Sequence, residues 1–286
     1  LDYFDYFSIN RSCHIEIKIM LKKKNIFLNK SFLIYGLGKS GISSLLFLKK
    51  NNEVDAYDDN NKLSINKKIK KSIIKLNDIN KKNYDFIVIS PGIDINKCKL
   101  KKYLKKNLNK IITDLDLFFD LNKESKIISI TGTNGKSTTC KILEKILKTA
   151  KINVKTVGNI GYPILSLNKT KKKYVYILEI SSYQLQYSKL FRSKYAAILN
   201  ISPDHLERHK NIKNYIKVKS RIFYAQNSSD YSYINLANKY SKSIINIFKK
   251  KKLKSRLIPI DQSGYKLLIK KVNNKFFKSK GNIENM

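Results

Sequence analysis

The stretch ISITGTNGKSTTCKILEKIL, residues 128–147, reads as a short apolar strand, a glycine-containing loop and a helix. Its loop has the chemistry of an anion site. Gly132 and Gly135 let backbone N–H groups turn toward one point, and the helix after Lys136 aims its positive end there. Lys136 adds a formal charge, and Ser137 a hydroxyl of the kind that binds Mg2+. The usual phosphate loop has four residues between its glycine and the closing Gly-Lys pair, whereas only Thr133 and Asn134 stand here. Glycines between a strand and a helix are often turn formers and nothing more. The Gly-Lys-Ser-Thr ending in this context points instead to a nucleoside triphosphate.

Working outward, the chain from Lys30 shows an apolar strand (SFLIY), a glycine turn (GLGKSG), a helix (ISSLLFLKKN) and a second strand (EVDAY) running into Asp58 and Asp59. That is a βαβ unit. A third strand, YDFIVIS, ends in Ser90-Pro91-Gly92, and a basic helical stretch, INKCKLKKYLKKN, follows. Polarity rises over DLNKESK at 120–126, which places a domain boundary before the strand KIISI. Beyond the phosphate loop come the strands KYVYILEI and AAILNI, a helical stretch from about 211 to 228, YINLAN as a strand and a lysine-rich tail. Strands alternating with helices predict an α/β fold: a Rossmann-like parallel-sheet domain over 20–122, then a P-loop-type mononucleotide-binding domain over 123–286. Residues 1–19 lack the basic-then-apolar order of a signal peptide and are expected to lie outside the fold as an extension, with Met20 the more natural start.

The formal net charge of +38 would ordinarily suggest nucleic acid. The lysines, however, are scattered over the whole chain, far outnumber the arginines and travel with Asn, Ile and Tyr, so no nucleic-acid partner is expected. No run of about 20 apolar residues is present, so no membrane insertion is expected. Cys13, Cys98 and Cys140 are far apart and without histidines at ligand spacing, which argues against a disulfide framework or a zinc site and for a reducing, cytoplasmic setting.

Glu179, Asp204 and His205 all emerge at carboxyl ends of predicted parallel strands, the edge from which the phosphate loop also emerges. A carboxylate and an imidazole converging there suit Mg2+ and a transferring phosphoryl group. Gly36, Gly38 and Gly41 form GxGxxG, with Asp58 twenty positions beyond Gly38, which by itself reads as a dinucleotide fingerprint. An NAD-dependent oxidoreductase is therefore a competing hypothesis, but it gives the second loop and the Glu179/His205 pair no task.

Several segments together, TGTNGKSTT, GNIGYP at 158–163, LEISSYQL at 178–185 and NISPDHLERHKNIKNYIKVKSRIF at 200–223, resemble the Mur ligases of peptidoglycan synthesis. YGLGKSG, the acidic pair and VISPGI extend that resemblance to the amino-terminal half, and the likeness is greatest to the D-glutamate-adding branch of the family. The resemblance implies an ATP-dependent amide ligase of cell wall biogenesis, serving cell shape and division. Such an enzyme transfers the γ-phosphoryl group of ATP to the carboxylate of UDP-N-acetylmuramoyl-L-alanine, and the amine of D-glutamate displaces phosphate from the acyl phosphate. It implies ATP at Gly132, Thr133, Asn134, Gly135, Lys136, Ser137 and Thr138, and two Mg2+ ions, one at Ser137 and Glu179 and the other at His205. Lys219 is implied as a lysine carbamylated by CO2 and ligating metal as the carbamate, so that Lys136, Glu179, His205 and Lys219 form the catalytic set. The UDP substrate is implied at Gly38, Ser40, Gly41, Asp58, Asp59, Ser90, Gly92, Asn159, Ser181 and Gln184, in a monomer. Family members carry a third, amino-acid-binding domain, for which residues 1–286 show no counterpart; GNIENM resembles the helix opening that follows the central domain. The alternative expectation is accordingly a non-catalytic fragment that binds UDP-sugar and ATP.

Overall fold

In the computed structural model, which describes residues 26–60, 67–159, 163–166 and 174–261, SFLIY forms β1 (Ser31–Tyr35), buried from Phe32 through Tyr35. A strand apolar on successive residues must be covered on both faces, which is the condition of a parallel sheet flanked by helices. The chain continues through α1 (Lys39–Leu48), β2 (Glu53–Tyr57), α2 (Lys67–Lys70), α3 (Leu76–Ile79), β3 (Phe86–Ile89), α4 (Lys101–Lys106), β4 (Ile111–Ile112) and α5 (Asp114–Leu121). It then forms β5 (Lys126–Thr131), α6 (Lys136–Thr149), β6 (Val154–Gly158), β7 (Val175–Glu179), α7 (Ser182–Tyr187), β8 (Tyr195–Ile198) and α8 (Leu206–His209). Last come α9 (Ile212–Ser220), β9 (Tyr231–Asn235), α10 (Ser241–Lys250) and β10 (Arg256–Ile260).

The strands build a four-stranded sheet, β2-β1-β3-β4, and a six-stranded sheet, β10-β9-β8-β5-β7-β6, in which every pairing is parallel. In each sheet the chain changes direction around the strand that carries a glycine loop, β1 in one and β5 in the other. The carboxyl ends of strands at such a point open a crevice for a ligand. The two sheets share an apolar core. Leu115, Leu117, Phe118 and Phe119 of α5 join Phe32 and Val88 of the first sheet to Ile127 and Leu178 of the second. Phe118 meets Tyr176 of β7 edge-on at 5.2 Å. Burial of each such side chain contributes about 1.5–3 kcal/mol.

Three expectations on element extent are corrected. Only Lys101–Lys106 of the stretch 95–107 is helical, because the Asp94 carbonyl accepts from the N–H groups of Lys97 and Cys98 and ties the preceding residues into turns. The helix expected to reach 228 stops at Ser220 and is followed by a 3-10 turn over Arg221–Phe223, where the chain turns toward β9. The lysine-rich tail contains α10 and β10: Ile244 and Phe248 lie on the buried face of α10, and Lys242, Lys249 and Lys250 point outward. Strand β6 was not anticipated. The readings of residues 1–19 and of GNIENM lie outside the described residues.

Candidate functional site

Strand β5 delivers the phosphate loop at its carboxyl end, and Gly135 closes it at φ +78°, a left-handed conformation that strains any residue with a side chain. The loop is gripped from the segment after β8: the Asn200 side-chain oxygen accepts from the N–H groups of Thr133 (3.1 Å) and Asn134 (2.9 Å), and its amide donates to the Asn134 carbonyl (3.0 Å). Lys136 Nζ donates to the carbonyls of Gly132 (2.9 Å) and Thr133 (2.8 Å). Thr138 lies exposed on the first turn of α6.

Lys219 reaches the same loop from α9. Its Nζ donates to the Gly132 carbonyl (2.8 Å) and to Thr131 Oγ1 (3.3 Å), and the residue is 1% exposed. Burial, and then the charge of Lys136, push its pKa down to about 7, with Asp204 acting in the opposite direction. Removal from water penalises the charged form of an amine.

Glu179 ends β7 and is buried. Its Oε2 accepts from Ser137 Oγ (2.8 Å) and its Oε1 from Asn159 Nδ2 (3.1 Å), so three residues predicted on separate segments meet. A hydroxyl beside a carboxylate is a hard-oxygen donor pair that suits Mg2+. Among the described residues no group of three or more His, Cys, Asp or Glu is placed to hold a metal, so an ion here would take its remaining oxygens from phosphate and water. His205 stands at φ +52°, its ring 4.9 Å from that of Tyr183, with Nε2 3.4 Å from Asp204 and Nδ1 3.7 Å from Glu207. A non-glycine residue in that conformation is uncommon, and the helix α8 begins directly after it.

Between the sheets lies a cleft of about 800 Å3. Gly38, Ser40, Asp58, Ser90 and Gly92 line it from the first sheet, and Asn159, Ser181 and Gln184 from the second. Ser90 Oγ donates to the Gly36 carbonyl (2.6 Å), which ties the loop after β3 to the loop after β1. Two predicted ligand residues stand elsewhere. Gly41 is packed beneath the loop, where a Cβ would meet the Gly36 carbonyl oxygen at 1.8 Å. Asp59 turns into the wall, accepting from the Tyr35 hydroxyl (2.8 Å) and the Lys99 N–H (3.2 Å), whereas Asp58 accepts from the Leu37 N–H (2.6 Å) and stays at the cleft.

Sequence reasoning passed over Asn200, Lys39, Lys97, Tyr183 and Arg208; the last four line the cleft. Asn200 and Arg208 belong to the quoted NISPDHLERH segment, whose density of polar residues was the available signal. His209, also unremarked, is buried with Nε2 3.0 Å from Ser182 Oγ, and burial followed by the Arg208 charge pushes its pKa down to about 4. Among the described residues no helix is long and apolar enough to cross a membrane.

Residues 130–285 match the Mur ligase middle domain, and residues 30–112 match the Mur ligase MurD-like N-terminal domain. A UDP-N-acetylmuramoylalanine–D-glutamate ligase of Rickettsia bellii is 41% identical over 230 residues, covering 78% of this chain and 48% of the relative. The ligase of the same name from Rickettsia felis is 38% identical over 253 residues, covering 84% of this chain and 55% of the relative. The chain thus spans about half the length of the curated relatives it matches. Among solved structures, the UDP-N-acetylmuramate:L-alanyl-gamma-D-glutamyl-meso-diaminopimelate ligase from Neisseria meningitides superposes with a TM-score of 0.51 at 13% identity, over 81% of this chain and 78% of that one, a likeness of fold.

Proposed function

The chain belongs to the Mur ligase family, and from that premise we propose that it carries the UDP-sugar and ATP sites of an enzyme that adds D-glutamate to UDP-N-acetylmuramoyl-L-alanine. One observation carries the reading. Asn159 lines the cleft and donates to Glu179, and Glu179 accepts from Ser137 of the phosphate loop, so the cleft and the loop are joined by a single hydrogen-bonded bridge. A substrate with its UDP end toward Ser40 and Ser90 and its muramoyl end toward Asn159, Ser181 and Gln184 has its carboxylate directed to the nucleotide. There phosphorylation turns the carboxylate into an acyl phosphate, which the amine of D-glutamate attacks.

Lys136 exchanges two neutral carbonyl acceptors for charged phosphate oxygens, and charge-assisted hydrogen bonds are about twice as strong as neutral ones. Ser137 and Glu179 would supply oxygens to one Mg2+, and His205 a nitrogen to the second. Mg2+, when bound, neutralises the charge of the transferring phosphoryl group. Lys219 suits carbamylation, because the amine must be uncharged to form its N–C bond to CO2 and release a proton. A pKa near 7 leaves roughly half of the amine neutral at that pH. The carbamate then presents oxygen, where the amine would repel a cation.

Calorimetric titration of the chain with UDP-N-acetylmuramoyl-L-alanine and, separately, with NADH tests the assignment of the cleft. Saturable binding of the UDP compound with no response to NADH is expected. Binding of NADH alone would replace the ligase reading by a dinucleotide one.

A further inference from the structure

The loop that follows β3 is held by the other sheet's domain. Arg208, in the short helix α8, has a side chain 7% exposed. Its Nε donates to Gln186 Oε1 (2.7 Å), while its two terminal nitrogens donate to the carbonyls of Gly92 and Ile93. The guanidinium carbon lies 5.4 Å from the ring of Tyr183 and 5.8 Å from that of Tyr187, and Asp94 Oδ2 is 4.0 Å away. Beside it, the Tyr187 hydroxyl accepts from the Ile95 N–H (3.2 Å). A planar fork that is near two rings and hydrogen-bonded through all three of its nitrogens has little freedom left, unlike a lysine at the same place.

The loop so held leads through Ser90 to the Gly36 carbonyl, hence to the glycine turn of the first sheet. In the other direction Arg208 lies three residues after His205. We propose that Arg208, backed by Tyr187, is a positioning residue that sets the distance between the two walls of the cleft. It thereby selects a UDP-linked substrate long enough to reach from Ser40 and Ser90 to Asn159, Ser181 and Gln184. This rests on the ligase reading, since it takes the occupant to be a UDP-linked sugar acid bound across both walls.

The test compares two ligands in three proteins: UDP, which occupies the first wall alone, and UDP-N-acetylmuramoyl-L-alanine, which spans both. Affinities are measured calorimetrically for wild type, Arg208→Met and Tyr187→Phe. Tyr187 does not line the cleft; its hydroxyl accepts from the Ile95 N–H and lies 3.5 Å from a guanidinium nitrogen of Arg208. The expected result is that UDP affinity stays within about twofold. The advantage of the longer ligand over UDP should fall by roughly 10-fold or more in Arg208→Met and about 3-fold in Tyr187→Phe, hydrogen bonds to charged and neutral groups differing in that sense. An unchanged advantage in both variants overturns the proposal, as does a loss confined to Arg208→Met, which would mark a direct contact with ligand. If Arg208→Met does not fold, Tyr187→Phe decides alone. Wild type that binds neither ligand defeats the ligase reading itself, a different outcome.

Discussion

Lys136 and Lys219 donate to the same atom: the Gly132 carbonyl oxygen lies 2.9 Å from one Nζ and 2.8 Å from the other. The buried member yields, its pKa falling from 10.5 to about 7 through burial first and Lys136 second. Between those pH values the unfolded chain holds a proton at Lys219 that the folded chain has lost, so stability from this position rises with pH across the window. Lys219→Met abolishes the effect. The variant should be a few kcal/mol more stable than wild type at pH 7 and lose that advantage toward pH 10. Urea unfolding at several pH values checks it, and a constant difference between the two proteins would contradict a buried, discharged lysine.

Lys136→Ala should weaken ATP binding by about 1.5–3 kcal/mol, the worth of hydrogen bonds to charged groups. Lys219 is buried and its pKa is pushed down to about 7, so it offers only part of a charge in place of the lost cation. Isothermal titration with MgATP decides. Equal affinity in the two proteins would refute the phosphate-loop reading.

Both glycine loops could be read in advance because each needs particular residue types at fixed offsets from a strand, and the parallel order then brings Ser137, Glu179 and Asn159 together without further information. Asp58 and Asp59 were indistinguishable, since successive residues at a strand end point to opposite sides and only their partners, the Leu37 N–H for Asp58 and the Tyr35 hydroxyl for Asp59, show which faces the cleft. The hold of Arg208 on the first sheet was illegible for another reason: its two terminal nitrogens donate to the backbone carbonyls of Gly92 and Ile93, more than a hundred positions away. Backbone partners leave no mark in side-chain identity. In the tail, the lysines at 242, 249 and 250 obscured a helical period carried by Ile244 and Phe248.

Gly41→Ala tests the crowding under the first loop. The added Cβ would lie 1.8 Å from the Gly36 carbonyl oxygen and 2.7 Å from Ser90 Oγ, so α1 must retreat from both loops at once. Overpacking of this kind costs about 1–3 kcal/mol, occasionally more. UDP affinity is expected to drop at least about tenfold while ATP affinity changes by less than about twofold, since 1.4 kcal/mol is a factor of ten. Unaltered UDP binding would show that the close helix approach is not needed for the cleft.

Asp116 supplies the last prediction. Its Oδ2 accepts from the Thr113 N–H (2.8 Å) and hydroxyl (3.1 Å), closing a capping box at the start of α5. Its Oδ1 accepts from Ser188 Oγ (2.9 Å) and from the N–H groups of Lys189 (2.9 Å), Leu190 (2.7 Å) and Phe191 (3.0 Å). The side chain is fully buried, so α5 and the segment leading into β8 are joined by one carboxylate that water cannot replace. Asp116→Asn is nearly isosteric but turns an N–H2 group toward one set of donors, leaving buried N–H groups unpaired. Each such group costs about 1–3 kcal/mol. Thr113→Ala removes the cap alone, worth about 1 kcal/mol. Urea unfolding should therefore rank Asp116→Asn, at about 2–4 kcal/mol, well below Thr113→Ala in stability. Equal losses in the two variants would mean that the donors from Ser188 to Phe191 contribute nothing and that Asp116 is a helix cap only.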